Sequence, residues 1–191
     1  MPIILASASP RRYQLLQQVG LEFMVIPAEI KEDISASSPG KLAEILAAQK
    51  AEWVAGQYPQ AVVIAADTIV VADERVLGKP ADRDDARLML RLLSGREHQV
   101  ITGLSVQCLE QHFKKTVTEI TKVLFRNLTD EEIETYLHSG EPFDKAGAYG
   151  IQGLGALFVE RIEGCYFNVV GLPLNRLNQV LREAGINLLG R

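Results

Sequence analysis

Apolar residues in this chain come in short continuous runs that alternate with stretches carrying an apolar face at helical spacing, a pattern that predicts strands and helices in turn. Ile3 to Ala6 is a short apolar run. Ser9 followed by Pro10 marks a helix start, because Ser caps free N–H groups and Pro suits the first helical turn. Leu15, Leu16 and Val19 then give an apolar face that closes at Gly20. Phe23 to Pro27 predicts a second strand, and Ser38 with Pro39 repeats the start signal before a helix that carries Leu42, Ile45, Leu46 and Lys50 up to Gly56. Ala61 to Val71 contains VVIAADTIVV, whose uninterrupted β-branched character predicts a strand covered on both faces. Asp82 to Leu93 supplies a third helix with Met89, Leu90 and Leu93 inward, stopped by Ser94 and Gly95.

Gln99 to Leu109 and Thr116 to Phe125 read as strands of a long hairpin with the polar segment Glu110 to Lys115 at its tip. Thr129 to Glu132 is a capping-box pattern opening a helix with Ile133, Tyr136 and Leu137, and Gly140 ends it. Ala156 to Ile162 and Cys165 to Val170 read as strands joined at Glu163 and Gly164, ahead of a final helix from Asn175 to Glu183. The class is α/β, without internal repeat, low-complexity tract or linker.

At 191 residues and 47% hydrophobic content the chain suits one domain, 1–191, with two lobes. The net charge is -4, and 20 Lys and Arg are scattered among 24 Asp and Glu, which argues against broad electrostatic binding of nucleic acid. A few placed basic groups still suffice for a small phosphorylated ligand. Cys108 and Cys165 stand far apart with no His or second Cys at ligand spacing, so neither a disulfide framework nor a zinc site is indicated, and both read as reduced core thiols. No charged leader precedes Ile3 and no 18-residue apolar window follows, so a soluble, cytoplasmic protein without membrane partner is expected.

Four segments carry polar groups that packing alone would not request. SASPRR places Ser7, Ser9, Arg11 and Arg12 at a strand-to-helix turn, where the helix dipole favours an anion and Arg adds bidentate phosphate donors. The alternative is an ordinary cap with two solvated arginines, but cations at a helix N-terminus oppose the dipole, a conflict that a bound polyanion removes. Asp67 lies in a run so apolar that its carboxylate requires a metal, a Lys or Arg, or a sheet-end position beside a site. LGKP offers Lys79 as a phosphate group or simply as a turn.

GEPFDKAGAYGIQG gathers Glu141, Asp144, Lys145, Tyr149 and Gln152 with four glycines, the composition of a binding loop. Gln152 has the paired donor and acceptor that suit a base edge, whereas Tyr149 is expected to pack. No P-loop pattern is present, and GIQGLG precedes a strand instead of a helix. His98, His112 and His138 lack metal spacing, and His98 reads as a turn residue near a strand start.

Taken in order, LASASPRR, AADTIVV, LGKP, LSGREHQVITG and GEPFDKAGAYGIQG resemble the Maf family of nucleotide pyrophosphatases along nearly the whole chain. The resemblance implies an α/β fold with an elongated mixed β-sheet, flanking helices and a central cleft, related in architecture to the inosine triphosphate pyrophosphatases. It implies a hydrolase that cuts dTTP and UTP to monophosphate and pyrophosphate, since AGAYGIQG is similar to that branch. Carried over by residue, Asp67 becomes the catalytic acid or base, while Arg11, Thr68 and Gln152 distinguish nucleobases. Ser7, Arg12, Lys50, Lys79 and Lys145 match positions around the phosphates. A divalent cation, Mg²⁺ or Mn²⁺, is implied, with Glu29, Glu32 and Asp67 as its carboxylates, although Lys31 interrupts the family's acidic cluster here. A homodimer is implied as well. Two rival readings are a nucleotide-binding regulator of cell division with vestigial hydrolysis and an RNA-binding module; the complete acid, base-reading and basic set argues against the first, the acidic charge and single Trp53 against the second.

Overall fold

The apolar runs Ile3–Leu5 (β1) and Val62–Ala72 (β3) pair in parallel, Ile3 opposite Val62 and Leu5 opposite Ile64, in a computed structural model that describes residues 1–31 and 36–190. Met24–Val25 (β2) pairs in parallel with the other edge of β1. Helix Pro10–Gln18 (α1) connects β1 to β2, and Pro39–Gln57 (α2) precedes β3. Then follow Arg75–Leu77 (β4), Arg83–Leu93 (α3), Glu97–Cys108 (β5), Phe113–Phe125 (β6), Asp130–His138 (α4), Val159–Glu163 (β7), Tyr166–Val170 (α5) and Leu174–Glu183 (α6). Among the described residues the strands form one seven-stranded mixed sheet in the order β2-β1-β3-β5-β6-β7, with β4 paired to β3. The chain divides into two compact units, one built from Met1–Asp67, Thr102–Glu119 and the chain from Gly171 on, the other from Thr68–Ile101 and Ile120–Val170.

In the first unit α2 makes the closest approach. Its buried face is mostly Ala43, Ala47, Ala51 and Ala55, small enough to bring the helix backbone down onto β5. A Cβ on Gly103 would lie 2.1 Å from the carbonyl oxygen of Ala43, so only glycine fits there. Gln107 donates to the Ala48 carbonyl at 3.1 Å, and the Thr118 hydroxyl donates to Glu44 at 2.8 Å. The Thr118 bond, followed by Lys41, holds the Glu44 carboxyl below its ordinary range. Ser38 caps α2 as expected, accepting from the Lys41 N–H. Ser9 stands at the N-cap of α1 but makes no side-chain cap bond; the turn is closed earlier, where its N–H donates to the Ser7 hydroxyl at 3.2 Å.

In the second unit β3 turns back into β4 through Asp73 and Glu74, both at positive φ, an element the sequence does not announce because the turn carries neither Gly nor Asn. Leu90, Leu93, Val100, Phe125, Ile133 and Leu137 are part of its core. The capping box at Thr129 and Glu132 is formed, with both reciprocal bonds present. Two expectations fail here. Strand β7 begins only at Val159, because Gly153–Phe158 is a 3₁₀ turn. The segment predicted as the strand Cys165 to Val170 is instead the short helix α5. Its β-branched and aromatic residues favour a strand, but tertiary bonds override them. The Thr121 hydroxyl donates to the Cys165 carbonyl at 3.1 Å and accepts from the Cys165 N–H at 3.0 Å. The Asn168 amide donates to Thr121 at 2.9 Å and to the Val100 carbonyl at 3.0 Å. Cys165 is accordingly only half-buried, not the core thiol expected, whereas Cys108 is fully buried.

Gly103→Ala is predicted to destabilise the chain by about 1–3 kcal/mol, because a backbone carbonyl cannot swing away as a flexible side chain can. Urea denaturation measures this, and an unchanged midpoint would contradict the close approach of α2.

Candidate active site

Asp67 sits in the middle of β3, after the register with β1 ends at Ile64 and before the register with β4 starts at Val70. It is 8% exposed in a run that is otherwise apolar. Of the partners its burial allowed, the structure selects Lys50: the ammonium reaches from α2 to Asp67 Oδ1 at 2.5 Å, and both side chains are largely covered. The pair balances the carboxylate's charge where apolar neighbours cannot.

On the same unit, the loop between β1 and α1 is organised by Ser7. Its hydroxyl accepts from the Ser9 N–H and from Arg12 Nη1 at 3.1 Å, while Arg12 Nε donates to the Gly171 carbonyl at 2.9 Å. Arg12 is thus held in one orientation at the helix start, beside a partly buried Arg11 in a first turn with no acidic residue. A fixed guanidinium at a helix N-terminus is suited to a phosphate. Glu29 is exposed in the coil after β2, and Glu32 lies outside the described residues. Among the described residues no group of three or more His, Cys, Asp or Glu could hold a metal ion.

The second unit carries Thr68, Lys79, Lys145 and Gln152. Lys79 is exposed after β4, and its turn is tied to the glycine-rich loop, since the Gly147 N–H donates to the Gly78 carbonyl at 3.0 Å. Lys145 packs its stem where a Cβ on Gly150 would go, and its ammonium donates to the Glu141 carbonyl and pairs with Asp144 at 2.6 Å. Gln152 is exposed at the start of the 3₁₀ turn, and Thr68 is half-buried on β3.

Tyr149 packs as expected, 5% exposed. His98 does not lie in a turn: it is the second residue of β5 and 2% exposed, enclosed edge-on by Phe125 and Tyr149. Its Nε2 lies 2.8 Å from the Tyr149 hydroxyl, within hydrogen-bond distance. Burial pushes the Tyr149 hydroxyl upward and His98 down to about 4. Glu141, which the sequence places in the candidate binding loop, and Tyr136, which it places on the apolar face of α4, are joined by a hydrogen bond of 3.0 Å that no sequence pattern announces.

The fold places the chain among mixed-sheet α/β proteins similar to the Staphylococcus aureus Ham1 protein, with a TM-score of 0.52 at 17% identity over 97% of this chain and 100% of that one. The chain belongs to the Maf family: the family described as "Maf-like protein" matches residues 2–184. Similar relatives include the dTTP/UTP pyrophosphatase of Carboxydothermus hydrogenoformans, 56% identical over 97% of this chain and 100% of the relative. Another is the dTTP/UTP pyrophosphatase of Syntrophomonas wolfei, 52% identical over 97% of this chain and 98% of the relative. No helix among the described residues is long and apolar enough to cross a membrane.

His98 makes stability depend on pH in a defined direction. Because its folded value, about 4, lies below the ordinary 6.5, the neutral ring's contribution is complete above pH 6.5 and is lost as the pH falls toward 4. The loss amounts to about 3 kcal/mol at most. Glu132 and Glu134, both pushed down to about 2 by hydrogen bonds from Arg126 and from Arg87 and Arg83, weaken the fold only below their ordinary 4.5. Urea unfolding at pH 7 and pH 5 is therefore expected to differ in the wild type and to differ much less in His98→Gln. An equal slope in both would remove His98 as its source.

Proposed function

We propose that this chain is a nucleoside triphosphate pyrophosphatase that hydrolyses dTTP and UTP to the monophosphate and pyrophosphate. The observation that carries the reading is the enclosed Lys50–Asp67 pair at 2.5 Å, set in a chain 56% identical over 97% of its length to a dTTP/UTP pyrophosphatase. Asp67 Oδ1 takes the ammonium, and the second carboxylate oxygen orients a water and accepts its proton as that water attacks phosphorus of the α–β linkage. The bond to the bridging oxygen breaks and pyrophosphate departs with the electron pair. Arg12, held by Ser7 and Gly171, together with Lys50, Lys79 and Lys145, steadies the charge on the phosphates.

A divalent cation, Mg²⁺ or Mn²⁺, supplies charge neutralisation on the triphosphate when bound. Asp67, Glu29 and Glu32 are the hard oxygen donors that would hold it, and Mg²⁺ commonly takes only one or two protein carboxylates together with substrate phosphates and water. Arg11, Thr68 and Gln152 read the base, with the Gln152 amide matching the adjacent acceptor and donor shared by thymine and uracil.

Pyrophosphate release is expected from dTTP and UTP with Mg²⁺ or Mn²⁺ and is expected to stop with EDTA. Asp67→Asn should lower kcat by about 10²–10⁴-fold while retaining nucleotide binding. A variant turning over near the wild-type rate excludes Asp67 as the base. No release from any triphosphate, despite measurable binding, would instead favour a nucleotide-binding regulator. Gln152→Ala should reduce the preference for dTTP over dCTP by about tenfold, the equivalent of one matched polar contact; an unchanged preference removes it as a reader.

A further inference from the structure

The glycine-rich loop contains a half-buried carboxylate, Glu141, that takes no part in the roles above. An anion has no evident reason to stand in a loop that receives a triphosphate, unless its charge is used internally. Its contacts show that use. Oε2 accepts from the Leu154 N–H at 3.0 Å, and Oε1 accepts from the Gly155 N–H at 3.2 Å and from the Tyr136 hydroxyl at 3.0 Å. The Tyr136 oxygen in turn accepts from the Gly150 N–H at 3.3 Å. Both ends of the segment from Gly150 to Gly155 are thereby tied to one hydroxyl–carboxylate pair, and Gln152 lies midway between the ties.

The segment closes on itself without room for other solutions. Gly153, next to Gln152, has φ +68, and a Cβ there would stand 2.7 Å from Glu141 Oε2. A Cβ on Gly155 would meet the Gly150 carbonyl at 2.2 Å. Tyr136 is a firm anchor: it is 2% exposed on α4, edge-on to Phe158 at 4.8 Å. Burial pushes its hydroxyl upward, so it stays protonated and able to donate to Glu141. The carboxylate also occupies the backbone donors that open the 3₁₀ turn beginning at Gly153, a cap supplied from twelve residues upstream.

We propose that Glu141 is a positioning residue that sets nucleobase discrimination by fixing Gln152, without touching the substrate. The proposal rests on Gln152 being a base reader. Glu141→Gln keeps the size of the side chain but either removes an acceptor or turns an amide N–H toward a backbone N–H, so the tie at Leu154 or Gly155 is lost.

The test compares kcat and KM for dTTP, UTP and dCTP in the full chain carrying Glu141→Gln, Gln152→Ala or both. For Glu141→Gln, KM for dTTP is expected to rise and the dTTP-to-dCTP ratio of kcat/KM to fall about tenfold, with kcat for dTTP within about threefold of wild type. The double variant should discriminate no worse than Gln152→Ala alone, because the two residues act in series. Tyr136→Phe keeps the ring packed but deletes the hydroxyl, and should lower the same ratio to a smaller extent; it carries the test if Glu141→Gln does not fold. Retained discrimination in Glu141→Gln, additive losses in the double variant, or an equal fall in kcat for all three nucleotides overturns the proposal. If Gln152→Ala discriminates as well as wild type, the base-reader assignment fails and the proposal with it. If only Gln152→Ala loses discrimination, the proposal fails alone.

Discussion

One carboxylate inside an apolar strand imposes conditions on much of the first unit. Desolvating Asp67 costs several kcal/mol unless its charge is matched within contact distance. Lys50 provides the match, but only if α2 lies close enough for its ammonium to reach β3. That requirement makes sense of residues with no chemistry of their own. The alanine face of α2 and the bare backbone at Gly103 let helix and sheet approach to a distance that larger side chains would forbid. Polar ties from Gln107 and Thr118 to the same helix then fix its height along the strands. An ion pair of this kind adds little net stability, because the desolvation of both charges offsets their attraction.

The second unit solves a different problem, that of holding an irregular loop without regular secondary structure. Every backbone donor there needs an acceptor, and strands and helices do not supply one. Glu141 and Tyr136 act as that framework, reaching three N–H groups between them. The glycines follow from the same constraint. They are needed less for motion than because the anchors occupy the space a Cβ would take at Gly153 and Gly155. A loop so tied presents an exposed Gln152 with little freedom, and fixed presentation is what the proposed reading of bases by Gln152 requires.

Much of this was legible in the sequence because it depends on local rules. The double-sided burial of β3 follows from VVIAADTIVV, the starts of α2 and α4 follow from Ser38 and Thr129, and the need of Asp67 for a partner follows from its surroundings. What escaped is non-local. Lys50 and Asp67 stand in different elements, and no spacing rule selects that lysine from the partners Asp67 could take. The helical turn at Tyr166–Val170 contradicts its own composition and exists because Thr121 and Asn168 bind it from inside. The Asp73–Glu74 turn forces left-handed backbone on residues that seldom adopt it, so β4 had no signal. Ser9 shows the same limit on a smaller scale, since the right residue at the N-cap is bypassed in favour of Ser7.

The cationic groups that the proposed function assigns to phosphates are held by their neighbours in different ways in the two units. Arg12 donates to the Ser7 hydroxyl and to the Gly171 carbonyl, two bonds that fix the direction of its guanidinium. Lys145 is oriented by a carbonyl and also shares Asp144, a mostly exposed carboxylate whose pairing with it is weakened by solvent. The net charge of -4 matters little at contact distance, because salt screens separated surface charges within about 8–10 Å. Under the proposed function, guanidinium and ammonium groups held in place in advance lose little further freedom on binding a phosphate, and this orientation counts for more than the number of positive charges on an acidic surface.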